Sequence, residues 1–332
     1  MRYLVIGGSG YIGSRLVASL AAREATERIA ICDVRSPGPY RPKVSFEYLD
    51  VRDAARVRCV MERERPDVLV HLAFILNPVK DERFMYDVDV NGTHNVLDAA
   101  ARTGVGQVLV TSSATAYGAF PDNPVPITED HPVRGVPDFE YARDKTESDR
   151  LCQMWALQHP DRVMTIVRPC IVLGPNVDNY LSRFWTDQPF MADVAGSAES
   201  RVQFVHEDDV AEAIARLLDG RHTGAFNVAG DGALSFRETA DLIGMPVRRM
   251  PERLARAMAR ATWRLGLSES PPGQLRFAQH PWLVSTDRLK ETLGWGPRHS
   301  SRETFEIAMR AKGKLGGAPA TAASAPDLAV SA

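Results

Sequence analysis

The sequence predicts an α/β fold built on a doubly wound parallel sheet, and three observations carry that prediction. Six short runs, 2–7, 28–33, 44–49, 67–73, 107–112 and 162–167, are rich in apolar and β-branched residues, the pattern of strands buried on both faces. Segments of helical length separate them, among them 11–22, 53–64, 84–103 and 140–158. Such alternation lays helices over both faces of one sheet. The third observation is a glycine-rich turn, "GGSGYIG", between the first run and the first helix.

Each glycine of that turn has a physical reason. Gly7 allows the tight turn out of the strand, Gly10 lets the backbone approach a pyrophosphate, and Gly13 lets helix and strand pack with no Cβ between them. The helix then offers free N–H groups and its positive dipole end to phosphates. The second strand ends at Asp33, twenty residues past Gly13, where a carboxylate grips an adenosine ribose. The pair of signals makes the sheet Rossmann-type. A carboxylate there repels a 2′-phosphate, so the expected cofactor is NAD, with Arg35 as the only nearby feature favouring NADP. Right-handed crossovers leave one reversal of strand order, and the crevice at its carboxyl edge is the expected ligand site.

After Pro169 the regular alternation stops. Residues 176–200 are irregular, 202–218 read as strand plus helix, 225–230 as a further strand, and about 233–315 as mostly helical with Pro and Gly punctuation. The expected organisation is a dinucleotide-binding domain at 1–170 plus about 201–230. A smaller, discontinuous C-terminal substrate lobe takes about 171–200 plus 231–315, and 316–332 is a disordered tail of small residues.

Composition narrows the function classes. With 44% hydrophobic and 25% charged residues among 332, the chain is ordinary for a globular protein. A net charge of −2 offers nothing to a nucleic acid. No run is long enough for a membrane span, and "MRYLVIGGSG" reaches glycine before the apolar core of a leader could form. The four cysteines, Cys32, Cys59, Cys152 and Cys170, are scattered without CxxC spacing, so no metal and no disulfide framework is expected, and a reducing cytoplasmic setting is.

Further along, the ordered motifs "LDVRD" (49–53), "HLA" (71–73), "NGTHNVLDAA" (91–100), "TSSATAYG" (111–118), "PITEDHP" (126–132), "YARDK" (141–145), "RPCIVLGP" (168–175) and "FVHEDDVAEAI" (204–214) follow the glycine loop and Asp33. With them the chain resembles the extended short-chain dehydrogenase/reductase family, in its NAD-dependent epimerase/dehydratase branch, over about two thirds of its length. The resemblance implies cofactor contacts from Gly7, Gly10, Tyr11, Ile12 and Gly13, from Asp33, Asp50 and Val51, and from Leu72, Ala73 and Phe74. It extends them to Asn91, Thr111, Tyr141, Lys145 and Pro169. It also implies a catalytic set of Ser113, Tyr141 and Lys145, and a homodimer pairing the helices at 84–103 and 140–158.

Part of that chemistry stands on its own. Residues i and i+4 share a helix face, so Tyr141 and Lys145 project together. A free tyrosine, with a pKa near ~10, is a poor base at neutral pH, and a neighbouring ammonium favours its phenolate. Tyr141 can then take the proton of a substrate alcohol while hydride leaves the same carbon for NAD, with Ser113 at the strand end bonding the substrate oxygen.

Departures from the family pattern bear on substrate. Nucleotide-sugar enzymes commonly carry an asparagine after "RP", where this chain has Ile171, and an arginine at the position of Val202, for which Arg201 is the available replacement. Ala114 and Thr115 stand where dehydratases carry an acidic pair, and Asp89 stands where asparagine is common. His71 reads as packing beside the cofactor loop, Cys170 as a small buried residue, and His206 with Asp209 as holding the crossing between lobes. A stripe of arginines, 249, 253, 256, 260 and 264, runs beside Leu254, Met258, Ala261 and Leu265 on one helix. It reads as a solvated face, with phosphate gripping or an interfacial membrane contact as alternatives. The leading function is hydride transfer at a secondary alcohol in the manner of a UDP-glucose-type 4-epimerase. The rivals are a 3β-hydroxysteroid or hydroxy-lipid dehydrogenase and a non-catalytic NAD-binding sensor.

Overall fold

Seven parallel strands form the central sheet: β1 (Arg2–Ile6), β2 (Arg28–Asp33), β3 (Val44–Tyr48), β4 (Val68–His71), β5 (Gln107–Thr111), β6 (Val163–Pro169) and β7 (Gly224–Val228). The computed structural model describes residues 1–36, 38 and 42–315, and the stretch read as a disordered tail lies outside them. Strand order is β7-β6-β5-β4-β1-β2-β3, so the chain reverses direction across the sheet between β1 and β4. All six expected runs are strands, and the run at 225–230 supplies the seventh. The reversal sets the turns after β1 and β4 side by side, which opens the crevice there.

The pleat explains the two cores. Tyr3 and Val5 of β1 face the layer holding α1 (Tyr11–Ala21), whereas Leu4 and Ile6 face the layer of α2 (Ala54–Glu64), α3 (Gly92–Thr103) and α4 (Glu140–Gln158). Leu16, Val17 and Leu20 of α1 join Val210, Ile214 and Leu217 of α5 (Glu207–Asp219) in the first core. Val57, Val60, Val96, Leu97 and Trp155 fill the second. Each such buried aliphatic side chain contributes roughly 1.5–3 kcal/mol. Local signals set the ends: Asp53 accepts a hydrogen bond from Arg56 N–H to start α2, and Gly104, at φ +76°, closes α3.

The segment expected as one helix over 84–103 is three consecutive pieces: a turn at Glu82–Tyr86, a π-helical turn at Asp87–Asn91, and α3. Its extra residue per turn rolls Asp89 inward, to a fully buried carboxylate. Gly92, just past it, lies against Val51, where a Cβ would meet the valine methyl at 2.5 Å. Residues 202–206 also differ from a single strand. Arg201–Val202 pairs antiparallel with Leu234–Ser235, and Phe204–His206 pairs in parallel with Ile171–Leu173. A third pair, Met191–Val194 with Val247–Met250, places Arg249 on a strand, so the helix expected from 249 begins at Glu252.

Helix α4 is held to the sheet by a buried charge pair. Arg168 on β6 donates from Nε and Nη2 to the two carboxylate oxygens of Asp149 on α4, both at 2.8 Å, with side chains 2% and 0% exposed. Its Nη1 also reaches the Tyr117 hydroxyl at 2.8 Å, and Tyr117 donates to Asn227 on β7. Burial works against the guanidinium charge, but Asp149 and Tyr117 more than offset it and hold the pKa above its ordinary value. Cutting Asp149 to Ala leaves a buried, unpaired guanidinium. Urea denaturation is expected to show a loss of about 3–5 kcal/mol, and less for the double replacement Asp149→Leu with Arg168→Met.

Candidate active site

One cleft of about 1440 Å³ runs from the β1/β4 reversal to the C-terminal elements. On its sheet side lies the glycine turn. Gly7, at φ +83°, packs so closely on Leu72 and Ala73 that a Cβ would collide with their backbone, and a Cβ on Gly13 would collide with the Gly7 carbonyl. Gly10 differs: it lines the cleft, and a Cβ there would have only the Gly7 oxygen, at 3.2 Å, within reach. Gly7 and Gly13 are thus required by the protein's own packing, while the bare backbone at Gly10 faces space large enough for a phosphate. Asp33 closes this end. Its carboxylate accepts from Ser9 N–H and Arg35 N–H, each at 3.1 Å, which aims it across the glycine turn.

Every residue assigned to cofactor contact lines the cleft except Asn91. That side chain is exposed and donates to Asp87 at 3.0 Å, because the π turn carries it away from the crevice. Asp50 is engaged by Arg52, whose side chain and N–H hold the carboxyl below its usual pKa. The cradle fits a dinucleotide: a positive-φ turn, a helix N-terminus and a carboxylate sit at the proper places, and the buried Ser9 Oγ and Tyr11 hydroxyl have no hydrogen-bond partner among the described residues.

Ser113, Tyr141 and Lys145 meet in the middle of the cleft. Ser113 follows β5 and caps a short 3-10 turn, its Oγ accepting from Thr115 N–H at 3.2 Å and Thr115 Oγ1 at 2.9 Å. Tyr141 and Lys145 occupy the first turns of α4, with Lys145 Nζ 5.8 Å from the Tyr141 ring centre. Burial pushes the Tyr141 phenol above its ordinary pKa; the neighbouring Ser113 opposes this and the Asp89 charge adds to it. Lys145 donates to the Thr111 carbonyl at 2.9 Å and stands 3.2 Å over the Phe74 ring. Burial pushes its pKa down, with Asp89 the main opposing influence.

Asp89 is the functional neighbour whose placement the sequence did not give. Its Oδ1 accepts from Ile75 N–H at 2.8 Å, tying the loop after β4 to the π turn, while Oδ2 is buried without a partner and burial raises its pKa to about 7. His71 stays neutral, its pKa lowered by burial and then by Lys145 to about 3. Thr93 spends its proton on the Asp89 carbonyl at 2.6 Å, so the 3.1 Å contact to His71 requires the proton on Nε2. The packing role read for His71 fits this, as does the bridging role of His206 and Asp209. The His206 ring stacks on His299 at 4.4 Å, and Asp209 accepts from His299 N–H at 3.1 Å.

The far half of the cleft was not legible from motifs. Phe184, Trp185, Phe236, Leu275, Phe277 and Trp282 line it, and Tyr180 sits near Tyr141, its phenol raised by burial and then by that neighbour. Among the described residues the lining cations are Arg15, Arg35, Arg52 and Lys145, and the three arginines lie at the glycine-turn end. Arg201, the expected replacement for a family arginine, is outside the cleft: it is exposed and donates to the Ala233 carbonyl at 3.0 Å. The antiparallel pairing of Arg201–Val202 turns Val202 inward instead, fully buried.

Two replacements separate packing from ligand contact. Gly10→Ala is expected to keep the wild-type denaturation midpoint while weakening NAD binding roughly tenfold or more, read by calorimetry. Asp89→Ala orphans the Ile75 N–H and should cost about 1–3 kcal/mol of stability, whereas Asp89→Asn keeps the acceptor and should cost less.

Comparison with known proteins agrees with this geometry. The NAD dependent epimerase/dehydratase family model matches residues 3–229. The UDP-glucose 4-epimerase of Rhizobium meliloti is 26% identical over 92% of this chain and 95% of its own. Among solved structures, the dTDP-glucose 4,6-dehydratase of Streptomyces venezuelae superimposes with a TM-score of 0.74 at 23% identity, covering 95% of this chain and 97% of that one. The UDP-glucose 4-epimerase of Thermus thermophilus gives 0.70 at 24%, covering 94% and 98%. The family match takes in well over half of the sequence, and on that ground the chain belongs to the NAD-dependent epimerase/dehydratase family, whose members are NAD-using enzymes.

Proposed function

We propose that this protein transfers hydride at a secondary carbinol carbon of an apolar, ring-sized substrate, an alcohol of the hydroxysteroid or hydroxy-lipid kind. One observation carries the choice: the far half of the cleft is walled mainly by aromatic and aliphatic side chains, its polar members, Asn176, Asp178, Asn179 and Gln274 among them, include no cation, and no arginine or lysine beyond Lys145 is among its described lining residues. A nucleotide-sugar diphosphate taken into such a wall would leave two charges unpaired, a cost of several kcal/mol. An apolar ring system gains by the same burial.

In this reading Ser113 Oγ and the Tyr141 hydroxyl bond the substrate oxygen, and Tyr141 exchanges the proton with it. Bound NAD supplies the hydride acceptor or donor. Lys145, fixed by the Thr111 carbonyl, places its ammonium where it favours the Tyr141 phenolate, and the aromatic walls keep water from the reacting carbon. Asp33 takes the adenosine ribose. The dinucleotide-binding unit is 1–170 plus about 201–230, and the remaining C-terminal elements form the substrate lobe. Homodimer formation through α3 and α4 is supported by the exposed Met154 and Leu157 on α4, and a reducing cytoplasmic location by the free cysteines.

A second reading, nucleotide-sugar 4-epimerisation, is favoured by the Rhizobium meliloti relative. The two separate on the product. Net NADH formed from hydroxysteroids or hydroxylated lipids supports the dehydrogenase, whereas inversion of a UDP-hexose without net NADH overturns it. Tyr141→Phe is expected to cut kcat by ~10²–10⁴ with NAD affinity unchanged. Because burial raises the Tyr141 pKa, the phenol is the neutral-pH form. Alcohol oxidation should therefore accelerate as pH rises and ketone reduction should slow, which initial rates across the pH range will show.

A further inference from the structure

The helix α6 (Glu252–Leu265) leaves most of its large apolar side chains outside. A surface helix normally turns its large apolar side chains inward. Here Ala255 is buried, Ala259 lines the cleft and Trp263 is half-buried, while Leu254, Met258 and Leu265 are 50%, 43% and 72% exposed. Leu267, past the closing Gly266, is 75% exposed. No other stretch of the described residues exposes large apolar side chains so densely. Leu254, Met258, Ala261 and Leu265 fall at steps of four, three and four, so they form one continuous ridge.

A second ridge runs beside the first. Arg253, Arg260 and Arg264 are exposed and form no ion pair among the described residues, in contrast to Arg256, which pairs with Glu252 at 2.8 Å. Arg249, on the preceding strand, is 94% exposed but pairs with Asp193 at 3.9 Å, and the exposed Lys80 donates to the Arg264 carbonyl at the end of the helix. An apolar ridge flanked by unneutralised cations matches the headgroup boundary of a bilayer bearing anionic lipids, where the leucines enter the acyl region and the arginines meet phosphates. A second copy of this face would instead oppose arginine to arginine, with the already paired Glu252 and Glu269 as the acids to answer it.

We propose that α6 and the turn after it dock this protein on anionic membrane surfaces. The docking face adjoins the cleft mouth, since Ala259, Ser268 and Ser270 line the cleft from the opposite side of the same element. An apolar substrate dissolved in the bilayer then has a short path to Tyr141. The docking itself does not depend on that substrate reading, because it is scored without turnover.

The test is co-sedimentation of the full chain with vesicles of phosphatidylcholine alone or of phosphatidylcholine with phosphatidylglycerol. Binding is expected to the anionic vesicles, to be at least about tenfold weaker to the neutral ones, and to fall in salt near ~1 M, where the Debye length is ~3 Å. The triple replacement Leu254→Ser, Met258→Ser, Leu265→Ser and, separately, Arg253→Gln, Arg260→Gln, Arg264→Gln should each abolish it. Both variants alter exposed positions, so NAD binding and the denaturation midpoint should stay at wild-type values. Wild-type protein that binds neither vesicle, or variants that bind as well as wild type, overturn the proposal. So does light scattering that shows a dimer converted to monomer by the serine variant, with no vesicle binding by either, which assigns the face to a second copy.

Discussion

The fold depends on the fully buried Arg168–Asp149 pair. A charge pair taken out of water is a poor source of net stability but a strict one of geometry, since displacement of either partner exposes the full desolvation penalty. The bidentate contact therefore fixes where α4 lies on the sheet. Asp149 is one helical turn beyond Lys145 and two beyond Tyr141, so the pair also sets how far both project beyond the carboxyl edge of β5 and β6. Tyr117, Asn227 and Glu129 extend the same network to β7 and to the loop after β5, where Ser113 sits.

Within that frame the site is a set of buried ionisable groups biased by burial. Tyr141 is pushed toward the neutral phenol and Lys145 toward the neutral amine, while the Asp89 charge opposes burial at Lys145. His71 is held neutral by the same burial and by the lysine. The π turn brings Asp89 into this group, and its bond to Ile75 N–H also fixes the loop that carries Phe74 beneath Lys145. An asparagine at 89 would supply the same acceptor without the charge that opposes burial at Lys145.

The relatives and the cleft pull in different directions on substrate. Likeness to sugar-nucleotide enzymes runs over nearly the whole chain, 95% of it for the Streptomyces venezuelae structure and 92% for the Rhizobium meliloti relative. The proposal of an apolar substrate rests on the far half of the cleft, where Ile171 and the aromatic side chains lie and no arginine is found among the described lining residues.

The sequence by itself determined the parts governed by local rules. Strand and helix positions follow from apolar periodicity, the cofactor turn from three glycines at fixed spacing, and the face shared by Tyr141 and Lys145 from the helical step. Only the tertiary structure decided which Arg meets Asp149, that Asn91 leaves the cleft while Asp89 enters it, and that Arg201 points outward while Val202 points in. It also set beside the arginine stripe a ridge of Leu254, Met258 and Leu265 left outside the packed face of their helix. The physical reason is that a period specifies a face but not what the face meets: partners far apart in sequence are chosen by packing, strand pairing and the cost of burying a charge.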